Sequence, residues 1–340
     1  MAANSSSILR RAMLYVPASS PRMLSKSLGL TSDNITYDLE DSVTPAAKPS
    51  ARAALRAHLD ALPPARRRPP GVRELAVRIN AVTTPHALAD LTALASAPQL
   101  DAIVVPKVEG AGDLEFVAQA LRHLAPSRHS SSTSSSLDPA APARPIQLLA
   151  LIESARAVTD LRAICAAAPG QLSGLVFAAE DFALDLSVSR TPSLREFLYA
   201  RSTVVVAARA ARLPSTVDLV CTSYRGGGGG SGEAAALARL EDECRDGRGL
   251  GFNGKQCIHP SQVDTVQRLF APDEAEVEWA VRVAVADEKA ARAGRGAWTL
   301  DGHMIDAPVA GKAKAIVEKA RACGMDVEAL REKWTDQEPE

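Results

Sequence analysis

Apolar residues recur along the chain in short blocks, and the stretches between them carry their apolar positions at helical rather than alternating spacing. The blocks are Ala12–Val16, Asn34–Leu39, Leu75–Ile79, Ala102–Val105, Ile146–Ile152, Gly174–Phe177, Val217–Thr222 and Gly254–Ile258. Most are continuous runs of Val, Ile, Leu and Ala. Runs of this length read as strands buried on both faces. Between them, Ala54, Leu55, His58 and Leu59 follow helical spacing behind a predicted cap at Ser50, and Leu114, Val117, Ala118, Leu121 and Leu124 repeat the pattern. Tyr199–Arg212 is rich in Ala and Val and stops before Pro214. Eight strands alternating with helices predict an α/β fold, a closed (β/α)8 TIM barrel. After Pro272 the rhythm ends, and Asp273–Ala293 reads as one long helix, followed by Gly294–Pro308 and a terminal helix to about Trp334. The expected organisation is a short leader over 1–11, a barrel over 12–272 and a C-terminal helical extension over 273–340.

Three biased segments interrupt the alternation. Pro63–Pro70 is rich in Pro and Arg, and Ser127–Pro145 in Ser, Ala and Pro. Both read as solvated insertions on the face away from the chemistry. Arg225 with Gly226–Gly230 follows the seventh strand, and no Lys-Ser or Lys-Thr follows the glycines. It reads as a flexible loop rather than a phosphate cradle.

Composition narrows the function. A net charge of -1 and 4% aromatic residues give no basic surface or stacking platform for nucleic acid. No apolar stretch is long enough to span a bilayer. The cysteines, Cys165, Cys221, Cys244, Cys257 and Cys323, form no CxxC pair, which predicts reduced thiols and no zinc cluster. Arg10, Arg11, Arg22 and Lys26 precede the first acidic residue, Asp33. That is the composition of a presequence, and the expected compartment is mitochondrial or cytoplasmic.

Polar groups collect where the strands end. Tyr15 and Pro17 follow the first strand, Asp38, Glu40 and Asp41 the second, Arg78 and Asn80 the third, and Pro106 and Lys107 the fourth. Glu153 ends the fifth, Glu180 and Asp181 the sixth, and Lys255 and His259 lie at the eighth. Chemistry in α/β barrels sits at this end. Glu153 and Asp181 suit the sparse oxygen donor set of Mg2+, or one of them serves only as an ion-pair partner of Arg78 or Lys107. Glu180 points away from Asp181 if the strand continues. Arg78 suits a substrate carboxylate or enolate oxygen, or a structural pair with Asp38, Glu40 or Asp41. His259 reads by default as a core histidine. There is no GxSxG nucleophile and no Cys–His pair, which argues against covalent catalysis.

Taken in order, several short motifs resemble those of the citrate lyase beta-subunit-like family, within the HpcH/HpaI aldolase superfamily. They are Tyr15-Val16-Pro17 with Arg22 and Lys26, Asp38-Leu39-Glu40-Asp41-Ser42-Val43 with Lys48 and Arg52, Val77-Arg78-Ile79-Asn80, and Val105-Pro106-Lys107. Ile152-Glu153-Ser154-Ala155, Glu180-Asp181-Phe182, Gly251-Phe252-Asn253-Gly254-Lys255, Ile258-His259-Pro260-Ser261-Gln262-Val263 and Met304-Ile305-Asp306 complete the series. The resemblance implies a homotrimeric, Mg2+-dependent lyase of the malyl-CoA or citramalyl-CoA type, acting on an acyl-CoA and releasing a small keto acid. It implies Glu153 and Asp181 as metal ligands, and Arg78 at the reacting oxygens. Tyr15, Arg22 and Lys26 would contact the CoA part, with Ile258 and His259 lining the same site. Asp306 would be the acid/base, delivered by a neighbouring subunit. Thioester hydrolysis and malate synthase-like activity are the close alternatives, and a non-catalytic regulatory or assembly subunit is the alternative of another class. Two departures stand out: Ala178 or Ala179 takes the place of the usual glycine before the acid pair, and Ser223-Tyr224-Arg225 with the glycine run replaces an acidic segment.

Overall fold

The computed structural model describes residues 8–63, 68, 71–129, 145–224 and 230–340. The chain divides into two compact units, one ending at Gln267 and the other running from Arg268 to Glu340.

The first unit is a closed barrel of eight parallel strands in sequence order. They are β1 (Ala12–Pro17), β2 (Asn34–Asp38), β3 (Glu74–Arg78), β4 (Ala102–Val105), β5 (Gln147–Ile152), β6 (Leu172–Phe177), β7 (Ser215–Asp218) and β8 (Gly254–Cys257). All eight overlap the strands expected from the sequence, but β7 runs two residues earlier at its start and stops at Asp218 rather than continuing to Thr222. β8 pairs with β1 and closes the ring. A Cβ on Gly254 would lie 1.9 Å from the Arg10 carbonyl oxygen, so the closing strand approaches too closely for any other residue.

Side chains alternate along each strand, and one parity fills the barrel. Met13, Ala76, Ala102, Val104, Leu149, Leu151, Val176 and Val217 form the interior layer. The amino-terminal end is plugged by fully buried Arg10, which donates to both Glu74 carboxylate oxygens (2.6 and 2.7 Å) and to Ser215 Oγ (2.8 Å). At the opposite end the same inward parity continues to Tyr15, Arg78 and Glu153. The interior pattern that makes the core therefore also aims the site residues.

Several expectations about connections need correction. The helix Lys48–Ala61 begins before Ser50, whose hydroxyl donates to the Ala47 carbonyl (2.9 Å) instead of capping. Pro49 suits that first turn because it has no N–H to leave unpaired. Neither insertion is wholly solvated where it is described. Arg68 is buried and pairs with Asp101, and buried Arg128 donates to the carbonyls of Ala97 (3.2 Å) and Leu100 (2.8 Å). The segment 225–229 lies outside the described residues.

In the second unit the helix Glu274–Arg292 opens with a capping box between Asp273 and Glu276. It buries Val277, Val281 and Val285 within this unit, whose core also holds Ala313, Val317 and Trp298. Gly294–Pro308 contains an unexpected antiparallel hairpin, β9 (Trp298–Leu300) and β10 (His303–Ile305). The terminal helix is in fact two, Ala307–Ala322 and Val327–Lys333, separated at Gly324, which takes φ +82°. Among the described residues no helix is long and apolar enough to cross a membrane.

Candidate active site

Five carboxylates and two cations meet at the carboxyl ends of β2 to β6. Asp38 and Arg78 are register partners on β2 and β3, and Arg78 grips Asp38 with two hydrogen bonds of 2.7 Å. The same guanidinium lies 3.0 Å from Glu40 and 3.1 Å from Asp41, and it sits over the Tyr15 ring at 5.0 Å. The ion-pair reading of Arg78 is thus realised, while its position at the barrel mouth keeps it beside the site. Tyr15 donates to Gln256 Oε1 (2.9 Å), and Gln256 donates to the Phe177 and Asp218 carbonyls. This floor holds the Tyr15 ring under the guanidinium. Burial, opposed by Arg78, raises the Tyr15 phenol well above its ordinary value and keeps it neutral.

The loop after β2 is pinned from below. Lys48 donates to the carbonyls of Leu39 (3.0 Å) and Glu40 (2.9 Å) and to Asn80 Oδ1. Asn80 and Arg52 are in turn held by buried Asp90. Asp38 accepts the backbone N–H groups of Glu40 and Ser42. Burial would raise its carboxyl, but Arg78 and these donors win and hold it below the usual range.

Lys107 follows β4 in the left-handed region, with φ 49°. Its N–H donates to Glu153 Oε1 at 3.0 Å. Its ammonium lies 2.9 Å from Glu40, 3.6 Å from Asp181, 3.8 Å from Glu153 and 3.9 Å from Asp41. Glu153 and Asp181 are therefore brought to one point, from the end of β5 and from the helix Ala179–Leu186 that follows β6. That helix begins two residues after β6 ends, so the strand does not continue through the acid pair. Glu180 turns away to Arg190 (2.6 Å) because of the helix, not because of strand alternation. Phe182 packs edge-on against Phe177 (5.3 Å) and Phe197 (6.2 Å), which anchors the turn carrying Asp181.

The Glu153 carboxylate is 4% exposed, and burial pushes it up to about 7, opposed by the Lys107 N–H and ammonium and reinforced by Glu40 and Asp181. The folded protein therefore holds this proton more tightly than the unfolded chain. Without metal, stability is full below the ordinary value of 4.5, declines as pH rises, and levels off above about 7. Chemical denaturation of metal-free protein between pH 4.5 and 8 checks this. A stability that rises monotonically across that window contradicts it.

The other sequence-singled residues are placed as follows. Arg22 and Lys26 are exposed on the helix Pro21–Ser27, directly after β1. Ile258 is 40% exposed after β8, and His259 is half-buried, stacked on Tyr224 at 4.9 Å and bonded to Ser261 Oγ (2.8 Å), so it is not a core histidine. Lys255, expected at the mouth, points outward to buried Glu243 (3.0 Å), and Gln256 takes the inward place. Asp306 belongs to the second unit, where it caps the helix Ala307–Ala322 by accepting the Val309 N–H (3.1 Å). Glu40, Asp41 and Lys107 were read only as ion-pair partners, and the structure puts all three in the charge cluster.

Residues 11–260 match the family model described as HpcH/HpaI aldolase/citrate lyase. The chain belongs to this family. It is 35% identical to citrate lyase subunit beta of Haemophilus influenzae over 92% of this chain and 98% of that protein. It is 34% identical to the (3S)-malyl-CoA thioesterase of Cereibacter sphaeroides over 87% of this chain and 89% of that protein. Among solved structures, protein CitE from Mycobacterium tuberculosis, in complex with magnesium, acetoacetate and coenzyme A, superposes with a TM-score of 0.67 at 29% identity. That match covers 92% of this chain and 98% of the other. The closed parallel barrel is thus the family's fold, with the charge cluster at the end where such barrels carry chemistry.

The cluster also fits a hard divalent cation. All its donors are carboxylate oxygens, and negative groups outnumber the two cations. Among the described residues no three His, Cys, Asp or Glu side chains converge to enclose a metal alone. A site of two carboxylates completed by water and substrate is what Mg2+ prefers.

Proposed function

We propose that the protein is a Mg2+-dependent lyase that breaks a carbon–carbon bond in a β-hydroxyacyl-CoA thioester of the malyl-CoA or citramalyl-CoA type. The observation that carries this reading is the convergence of Glu153 and Asp181 on one cationic centre beside Arg78, at the mouth of a citrate-lyase-type barrel.

Glu153 and Asp181 are the residues that would hold Mg2+, which when bound polarises the oxygen of the departing keto acid. Arg78, fixed by Asp38 and the Tyr15 ring, offers its remaining N–H capacity to developing negative charge. Asp306 takes the proton of the substrate's β-hydroxyl. The bond between the α and β carbons then breaks, its electron pair passing to the α carbon and thioester carbonyl as an enolate, the β carbon becomes the carbonyl of the keto acid, and the α carbon takes the proton back from Asp306 to leave the shortened acyl-CoA. Arg22 and Lys26 place positive charge on the exposed helix after β1, suited to the phosphates of CoA, and Ile258 and His259 add an apolar edge and a ring. Asp306 is supplied by a neighbour in a homotrimer. Reduced thiols at all five cysteines support an intracellular compartment, mitochondrial or cytoplasmic.

Purified protein with malyl-CoA or citramalyl-CoA is expected to yield acetyl-CoA and glyoxylate or pyruvate when Mg2+ is present, and nothing above background in EDTA. The similarity to a malyl-CoA thioesterase favours a second reading, in which water cleaves the thioester bond of the same substrate and releases CoA and the free hydroxy acid. Free CoA without a keto acid would establish that activity instead. No turnover of either thioester would leave a non-catalytic barrel as the better account.

A further inference from the structure

The ammonium of Lys107 occupies the point on which Glu153 and Asp181 converge. It is in hydrogen-bond contact with Glu40 alone (2.9 Å), and it stands 3.6 to 3.9 Å from Asp181, Glu153 and Asp41. Three of the four carboxylates are therefore shielded by its charge without being bonded to it. The side chain is 41% exposed, so solvent lies open beside the head group. The backbone contact is separate: the Lys107 N–H donates to Glu153 without involving the ammonium.

We infer that Lys107 is a resident counter-ion, which holds the carboxylates of the Mg2+ site together in the metal-free protein and is displaced when the divalent ion binds. A monovalent ammonium and a divalent ion compete for the same negative field, and at these separations like charges repel strongly. Binding then exchanges one cation for another, and the released ammonium stays tethered at the rim of the site. Lys107 is a positioning residue in this account. The inference rests on the magnesium reading above, but its test uses no thioester. A failed lyase assay beside the metal behaviour described here would count against the function and leave this inference standing.

The test is calorimetric titration of full-length protein with Mg2+, and separately Mn2+, in the absence of substrate. Lys107→Met keeps the stem and the N–H and removes the charge. It is expected to bind Mg2+ at least roughly tenfold more tightly than the wild type. Its metal-free melting temperature should be lower and its Mg2+-induced rise larger. Lys107→Arg restores the charge and should return the affinity to the wild-type range. Unchanged or weaker binding in Lys107→Met overturns the inference, as does tight binding in both variants or binding in neither the wild type nor Lys107→Met. Should Lys107→Met not fold, the wild type decides. Acetylation of Lys107 by an amine reagent, followed by peptide mass spectrometry, is expected to speed up on adding Mg2+. An unchanged or slower rate overturns the inference.

Discussion

Glu153→Gln is expected to abolish Mg2+ binding and to lower kcat/KM by on the order of 10³-fold, while leaving the barrel folded. The substitution is nearly isosteric. The amide oxygen can still accept the Lys107 N–H, which the carboxylate accepts at 3.0 Å, so the backbone after β4 keeps its anchor. What disappears is a charge buried to 4% exposure and raised to about 7. The neutral amide resembles the protonated acid, so the variant should lose the decline in metal-free stability between pH 4.5 and about 7 that is expected of the wild type. Above neutral pH it should be at least as stable as the wild type. Calorimetry with Mg2+, denaturation at pH 5 and pH 8, and the thioester assay separate these effects. Mg2+ affinity near that of the wild type would remove Glu153 from the ligand set, and a collapse in stability at pH 8 would mean that its charge is structural.

The strands were legible in the sequence because this barrel buries both faces of each one. Continuous apolar runs at Leu148–Ile152 and Leu175–Phe177 leave little else for those segments to be. The inward parity was harder to read for the short polar strand β8. There Lys255 drew attention by its charge, while its neighbour Gln256 had the parity that faces Tyr15. The end of β6 at Phe177 was read correctly, but the helix that follows it was not. Ala178-Ala179 prolongs the apolar run, yet Glu180 and Asp181 in the first turn of a helix interact favourably with the positive end of its dipole and favour the switch. The hairpin of the second unit did have a signal. Asp301-Gly302 lies between Trp298-Thr299-Leu300 and His303-Met304-Ile305, and both turn residues take positive φ (49° and 76°), as a two-residue hairpin loop requires. The charge cluster was legible as a set of strand-end residues but not as a geometry. Only the closed ring brings Glu40, from the loop after β2, to the same ammonium as Asp181, from the helix after β6.

Asp306→Asn is expected to lower kcat by about 10²- to 10⁴-fold, the usual share of a general acid/base, with Mg2+ affinity and melting temperature unchanged. Asparagine is the informative choice because Asp306 already has a structural task. Its Oδ1 accepts the Val309 N–H at 3.1 Å and caps the helix Ala307–Ala322. Asn caps about as well as Asp, whereas Ala would add a loss of about 1 kcal/mol to any catalytic defect. A fall in rate without a fall in stability therefore isolates proton transfer. Near-normal turnover in Asp306→Asn would reduce the residue to its cap. Whether the carboxylate comes from another chain is read by mixing. Asp306→Asn retains an intact barrel site and Glu153→Gln an intact tail, so co-refolding the two inactive proteins should rebuild working sites if barrel and tail come from different subunits. With equal amounts and random assembly, about a quarter of the sites would pair an intact barrel with an intact tail. Activity near that fraction requires a shared site. Mixtures as inactive as their parents would assign Asp306 to its own barrel, because each chain would then carry its own defect into every site it forms.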